Sequence, residues 1–367
     1  MIDRAACVTL GLALTVGAAR APAQSTEWRT DFSRATVPLE EIVSGGPPKD
    51  GIAALDEPRF ESVARADRWL QDPEPVMVVA MDDDVRAYPL QILIWHEIVN
   101  DVVGSRPVAV TYCPLCNTAM TFDRTVNGVV LDFGTTGRLR HSDLVMYDRQ
   151  TESWWQQATG EAIVGVHAGQ RLPLLATPLM SWRDFRRTYP EALVLSRDTG
   201  HSRPYGRNPY SRYDGRRTPF ERFFRRSVDP RLPAMERVAA VESSGGAVGY
   251  TFSLLAQQRV VNDTLAGQPI VVFWTPGVAS ALDAAELAGG RDVGATGAFD
   301  RRVDGRVLSF EAVGDGRFRD RETQSEWDAT GRALAGPLAL RRLVPLPHTN
   351  PFWFVWAVFR PDARLVR

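Results

Sequence analysis

Phe122-Asp-Arg-Thr-Val-Asn-Gly-Val-Val-Leu131 is answered by Phe299-Asp-Arg-Arg-Val-Asp-Gly-Arg-Val-Leu308, with seven of ten positions identical. Working outward, the match continues on both sides. Tyr88-Pro-Leu-Gln-Ile-Leu93 and Val99-Asn-Asp101 correspond to Tyr250-Thr-Phe-Ser-Leu-Leu255 and Val261-Asn-Asp263. Pro107-Val-Ala-Val-Thr-Tyr112 corresponds to Pro269-Ile-Val-Val-Phe-Trp274, and Asp148-Arg-Gln-Thr-Glu-Ser-Trp-Trp155 to Asp320-Arg-Glu-Thr-Gln-Ser-Glu-Trp327. Collinear self-similarity of this length predicts one fold used twice. The expected units are a leader over 24–51, a first repeat over 52–196, a connector over 197–227 and a second repeat over 228–367.

Within the first repeat most segments read as strand. Pro75 to Ala80 and Val85 to Tyr88 flank a turn at Asp82–Asp84, a hairpin signature. Asn127-Gly128 is a strong short-range hairpin signal and joins Met120–Asp123 to Val129–Phe133. Val145–Asp148 and Ser153–Gln156 form a third pair. Apolar residues at 90, 93, 94 and 98 have helical spacing and predict a helix over Leu90–Asn100. Another closes the unit over Ser181–Tyr189. The expected fold class is β-rich α+β: two duplicated barrel- or sandwich-like domains about a pseudo-two-fold axis.

The 367 residues carry 43 basic and 44 acidic side chains, and 44% are hydrophobic. These proportions exclude a disordered chain, a coiled coil and a disulfide-dense miniprotein. The net charge of −1 argues against nucleic acid as a partner. Residues 1–23 combine Arg4, an apolar run over Ala5–Ala19 and Ala21-Pro-Ala23, the pattern of a cleaved signal peptide. The mature protein is therefore expected to be exported, periplasmic or extracellular, with no transmembrane segment. Cleavage removes Cys7 and leaves Cys113 and Cys116.

What the copies do not share is as informative as what they do. The first carries Trp95-His96, Cys113-Pro-Leu-Cys116 and Trp154-Trp155-Gln156. The second has Gln257-Gln258, Thr275-Pro-Gly-Val278 and Glu326-Trp327-Asp328 at those places. Scaffold residues persist while His96 and both cysteines vanish together, as the parts of one site would.

Two thiolates and an imidazole make a Cys2His donor set that suits copper or zinc. We expect His96, Cys113 and Cys116 to be metal ligands, with copper preferred for its compartment and soft donors. Met120 and Met146 could add a thioether, although both align with apolar residues of the second copy and read as core. A thiol–disulfide redox protein using Cys113 and Cys116 is the alternative. Against it, Asn117-Thr-Ala-Met-Thr-Phe reads as a turn into a strand, not as the helix that such a motif opens. A plain local disulfide or a structural zinc is the third reading. His141 and Asp143 lie in a polar stretch, as a further ligand and a general base or as solvated loop residues. Trp95, Trp154, Trp155 and Gln156 are candidate pocket walls. His167, His201 and His348 read as surface residues.

The connector runs from His201-Ser-Arg-Pro-Tyr205 to Phe220-Glu-Arg-Phe-Phe-Arg-Arg226, arginine interleaved with aromatics. It reads as an ordered strap across both copies, or as the face of a non-catalytic binding module. No partner or substrate follows from it.

Tyr88-Pro-Leu, Trp95-His-Glu97, Thr111-Tyr-Cys-Pro-Leu-Cys116, Ser142-Asp-Leu-Val-Met-Tyr-Asp148 and Trp154-Trp-Gln156 together resemble the bacterial and archaeal family catalogued as domain of unknown function 3179. The resemblance runs from about residue 50 to the C-terminus, and the connector's Pro204-Tyr-Gly and Pro209-Tyr share it. It implies an export signal and supports His96, Cys113 and Cys116 as the family's site. Members commonly have Asn where this chain has His141, which counts against His141 as an essential ligand. The family name carries no activity.

Overall fold

The run Val76–Val79 is apolar at every position and buried throughout, so it forms the interior of the strand Pro75–Met81. The chain turns at Asp82 and returns along Asp84–Pro89. A short helix, Leu90–His96, follows and stops because Glu97 takes a left-handed conformation, φ 59°, with its N–H on the Leu93 carbonyl. The expected helix over 90–100 therefore ends four residues early. The β-branched Ile98, Val99, Val102 and Val103 favour the extended backbone and pair with Arg106–Cys113 instead.

The structure is a computed structural model and describes residues 28–367 apart from 244 and 315. Residues 1–27, which include the expected signal segment, Cys7 and the first residues of the expected leader, lie outside the described residues. Strand accounts for 42% of the chain and helix for 11%, so the β-rich expectation holds. Residues 60–195 build a sheet from Leu179–Ser181, Pro75–Met81, Asp84–Pro89, Leu193–Leu195 and Phe60–Ser62, in that spatial order. A second runs Leu174–Leu175, Thr118–Asp123, Arg106–Cys113, Ile98–Val103. A third runs Ile42–Ser44, Phe133–Arg140, Asp143–Asp148, Trp154–Gln156, Glu161–Val164.

Residues 238–366 present a similar series. His348–Thr349, Val238–Ser243, Gly246–Thr251 and Arg364–Val366 form one sheet, and Val260–Leu265, Gln268–Thr275, Ala295–Asp300 and Val344–Pro345 the next. Phe310–Gly314, Arg317–Asp320, Glu326–Asp328 and Ala333–Ala335 form the last. In both series the late strand joins in parallel, Leu193–Leu195 on Asp84–Pro89 and Arg364–Val366 on Gly246–Thr251. Asn127-Gly128 and Asp304-Gly305 each close a two-residue turn with both φ positive, 50° and 79° against 48° and 78°, the twist that a tight hairpin needs. None of the sheets closes on itself among the described residues. The barrel alternative is therefore not met, because the chain leaves each sheet after at most five strands.

The residues that recur in sequence prove to be scaffold. The Asn100 side chain donates to Phe133 O at 2.8 Å and accepts from Phe133 N at 2.9 Å, clipping one sheet to the next. Asn262 makes the same pair with Phe310, both at 2.8 Å. The Tyr88 hydroxyl donates to Asp101 and the Tyr250 hydroxyl to Asp263. The Trp155 indole N–H reaches Asp148, and that of Trp327 reaches Asp320, each at 2.9 Å.

Each asparagine clip satisfies a backbone N–H and C=O that no strand pairing serves. Asn100→Ala should therefore leave both Phe133 groups unpaired and cost about 2–4 kcal/mol by denaturant unfolding. Asn262→Ala should cost a similar amount. A loss under 1 kcal/mol in both would refute the clip as a shared structural element.

Candidate metal centre

Two hairpin tips meet in the first half. The first joins Arg106–Cys113 to Thr118–Asp123, with Cys113 opposite Thr118. Its loop is Pro114-Leu115-Cys116-Asn117, in which Cys116 N–H bonds the Cys113 carbonyl at 3.2 Å and Asn117 takes φ 55°. Cys113 and Cys116 thus sit on a turn between strands, as the sequence predicted, with no helix following. The second tip joins Phe133–Arg140 to Asp143–Asp148 through His141-Ser142. Both turn residues have positive φ, 54° and 68°, although neither is Gly or Asn. Residues without that freedom carry strain of order 1 kcal/mol or more.

This strained turn presents the Ser142 carbonyl to both thiols, at 3.2 Å from Cys116 Sγ and 3.8 Å from Cys113 Sγ. Asp143 follows directly. Ligand atoms of Cys113, Cys116 and Asp143 all lie within 4.8 Å of one another, and the three residues are buried. The cysteines are free thiols. One Asp143 oxygen accepts from Gln156 Nε2 at 2.6 Å and from Ala158 N at 2.8 Å. The other has a long 3.4 Å contact from Thr118 Oγ1. A carboxylate fixed firmly through one oxygen and only weakly contacted at the other is the arrangement that orients a metal ligand. Gln157 braces the cysteine hairpin by accepting from Thr118 and donating to Thr111.

Burial dominates the electrostatics. It pushes the Asp143 carboxyl up to about 6, against the hydrogen bonds that pull it down. It raises both thiols, Cys116 the more strongly. Glu97, at the helix C-terminus, is pushed up to about 8 by burial and by the Asp143 charge. Ionising these neighbours together is unfavourable without a cation among them. Ser142 Oγ and Gln156 Oε1 are buried with no hydrogen-bond partner among the described residues. A Cys/Cys/Asp group of this kind could hold a metal ion, and two thiolates with one carboxylate suit a borderline cation.

The rest of the chain covers the site. Tyr213 of the connector donates to the Leu115 carbonyl at 3.0 Å, Phe352 N–H donates to the Cys116 carbonyl at 3.0 Å, and Asn117 donates to the Asn350 carbonyl at 2.7 Å. Phe223 O receives the Ser142 N–H at 2.9 Å. The connector is an ordered strap whose aromatic residues Tyr213, Phe223 and Phe224 point into the core.

Of the residues singled out in sequence, the structure brings together Cys113, Cys116, Asp143 and Gln156. His96 is not among them. Its Nδ1 bonds the Ala53 carbonyl at 2.7 Å and its Nε2 the Tyr205 hydroxyl at 2.6 Å, so both ring nitrogens are engaged elsewhere. The next residue, Glu97, is the one whose carboxyl the Asp143 charge affects. His141 is buried rather than solvated; its Nε2 lies 3.2 Å from Glu41, beside Arg140. Met120 and Met146 are apolar core. Trp155 packs on Phe133, whereas Trp154 points to the opposite sheet face against Trp28. Trp95 is half-buried and donates to Arg207 O at 3.2 Å. His348, expected at the surface, is buried and bonds the Thr296 carbonyl at 3.0 Å.

Sequence reasoning missed Glu97 and the Ser142 carbonyl. The signal for Glu97 was within reach: one residue beyond the His96/Gln258 mismatch, Glu97 aligns with Arg259. The carbonyl left no signal, because a backbone group has no side-chain identity.

A family model described as protein of unknown function (DUF3179) matches residues 49–363, and the chain belongs to that family. No curated protein and no solved structure matches it.

Burial lowers the pKa of His96 to about 4, as it does for His141. Neutral imidazoles are thus favoured in the folded state. The stability they contribute is complete above the unfolded value of about 6.5 and is lost as pH falls toward 4. His96→Gln should flatten the fall in melting temperature between pH 6.5 and 4, removing up to about 3 kcal/mol of acid sensitivity. An unchanged slope would contradict a buried neutral His96.

Proposed function

We propose that the protein binds one transition-metal ion through Cys113, Cys116 and Asp143, zinc in first place and copper in second. The observation that carries this reading is the Asp143 carboxylate, fixed by Gln156 and Ala158 N–H beside two free thiols. With Asp143 in the place expected of His96, the donor set gains a hard oxygen, which moves the preference from copper toward zinc. Three protein donors leave one tetrahedral position. Glu97, whose carboxyl burial favours in its neutral form, is the nearby acid that orients a water there without adding charge. When bound, the ion stabilises both thiolates and polarises whatever fills the fourth position. The chain's own residues hold it dry: Tyr213, Phe352 and Asn117 close the cysteine turn, and Gln156 and Gln157 keep the donors aimed.

Thiol–disulfide exchange is less well supported, because buried thiols of raised pKa attack disulfides poorly. We further propose that 52–196 and 228–367 are copies of one ancestral unit about a pseudo-two-fold axis. The matched asparagine clips and the recurring sheet order support this. In this reading the second copy has given up the site and serves as its cover. Export through residues 1–23 remains part of the proposal and is tested by sequencing the N-terminus of the mature protein.

Elemental analysis of full-length protein purified without chelator should find about one equivalent of zinc or copper. Cys113→Ser, Cys116→Ser and Asp143→Asn should lose it, while His96→Gln should keep it. Glu97→Gln should keep the stoichiometry and weaken affinity roughly 10–100-fold, as second-sphere changes do. Metal absent from the wild type, with none taken up by the reduced protein, would refute the reading. Loss in His96→Gln with retention in Asp143→Asn would restore the Cys2His set.

A further inference from the structure

Cys113, Cys116 and Asp143 are all buried, so an ion or any other reactant reaches them only when a covering segment moves. The covers differ in how they are held. Phe352, on the Cys116 carbonyl, adjoins the helix Trp353–Phe359, which is buried from Trp353 to Ala357. Tyr213, on the Leu115 carbonyl, belongs to a stretch fixed to the second half. There Asn208 N–H bonds the Ala285 carbonyl at 2.9 Å, Tyr213 N–H bonds the Leu282 carbonyl at 3.0 Å, and buried Asp214 pairs with Arg237 at 2.9 Å.

Residues 215–224 are held otherwise. They form neither strand nor helix, and 215–218, 221 and 222 are exposed, as are 225 and 226 just beyond. Among the described residues, their one hydrogen bond to a residue outside 213–224 is the bond that Ser142 N–H donates to the Phe223 carbonyl at 2.9 Å. Aromatic rings supply the remaining hold. Phe220 stacks on Tyr213 at 5.0 Å, Phe224 meets Phe354 edge-on at 5.1 Å, and Phe223 is buried in the same core as the cysteines. Arg216 and Arg222 cover Phe220 and Phe223 from the exposed side, each 4.4 Å from a ring centroid. Segments with so few ties open locally at far less cost than global unfolding. The lone bond also falls on the residue whose carbonyl meets both thiols and whose φ is 68°. Breaking it removes a restraint from a strained turn, so withdrawing the rings and loosening Ser142 and Asp143 are one event.

We propose that residues 215–224 are the gate of the buried cluster, with the Phe223 and Phe224 rings as its plug and the Phe223 carbonyl as its latch on Ser142. The gate swings out while 208–214 and the Trp353–Phe359 helix stay in place. The arginine–aromatic alternation of the connector thus places rings toward the thiols and charges toward solvent. The proposal deepens the metal reading and rests on it for what the gate admits, but the opening itself is testable on the metal-free thiols.

The test is the rate at which iodoacetamide labels Cys113 and Cys116 in the full-length, reduced, chelator-treated protein, read by peptide mass spectrometry at fixed pH over a series of urea concentrations below the unfolding transition. Opening through the gate exposes little surface, so the rate should be nearly independent of urea, whereas opening by global unfolding carries the full denaturant slope. Phe223→Ala should speed labelling about tenfold or more and keep the shallow slope. Asn262→Ala, which weakens the second half, should leave the rate unchanged. Labelling that follows the global denaturant slope in the wild type would overturn the proposal. So would an unchanged rate in Phe223→Ala, or an equal acceleration in Asn262→Ala. No metal enters the experiment, so its failure is distinct from a failure of the metal reading, which elemental analysis decides.

Discussion

The Ser142 carbonyl accepts from both cysteine thiols, and this contact between two hairpin tips is the constraint on which the surrounding structure depends. To make it, the His141-Ser142 turn must hold positive φ at two residues that do not favour it. The same turn brings Asp143 beside the sulfurs. Strain of this kind persists only where packing over-determines the backbone, and here Phe223 O fixes the Ser142 N–H while Gln156 and Ala158 fix Asp143. The outcome is a dry cluster of acidic groups whose ionisation burial opposes and a cation would favour.

That constraint gives the rest of the chain a physical role. The strap and the 350–355 segment supply Tyr213, Phe223, Phe352 and Phe354 to one continuous core with Cys113, Cys116 and Met120. Tyr213 and Phe352 satisfy the Leu115 and Cys116 carbonyls of the cysteine turn, and the Asn117 side chain ties that turn to the Asn350 carbonyl. Water is therefore kept from the thiols by segments remote in sequence. At the corresponding place in the second half stands a cation, Arg259, over the Trp274 ring. One backbone frame, a left-handed helix end bonded to the next sheet, thus carries an acid in one half and a cation in the other.

Much of the scaffold was legible in the chain because repetition filters it. Asn100, Tyr88, Asp101, Asp148 and Trp155 stand in both halves, and each makes the same bond there. The cysteine pair was legible as well, since the corresponding turn of the second half, Thr275-Pro-Gly-Val278, has no cysteine. The helix over Leu90–His96 was predicted four residues too long. Its stop is a conformational event at Glu97, a residue with no intrinsic preference for positive φ.

The sequence by itself determined a β-rich chain, the strands and turns of its hairpins, the turn that carries Cys113 and Cys116, and the scaffold residues that recur. Those features are local or are marked by repetition, so periodicity and comparison within one chain reach them. Only the tertiary structure decided which acidic or imidazole side chain lies beside the two thiols: it is Asp143. The sequence reading chose His96 as the ligand and gave Asp143 only as a general base or pocket residue, and nothing in their spacing from the cysteines corrects that. The choice rests on where a left-handed turn ends a helix and where a strained hairpin tip is buried, and both are consequences of packing between segments distant along the chain.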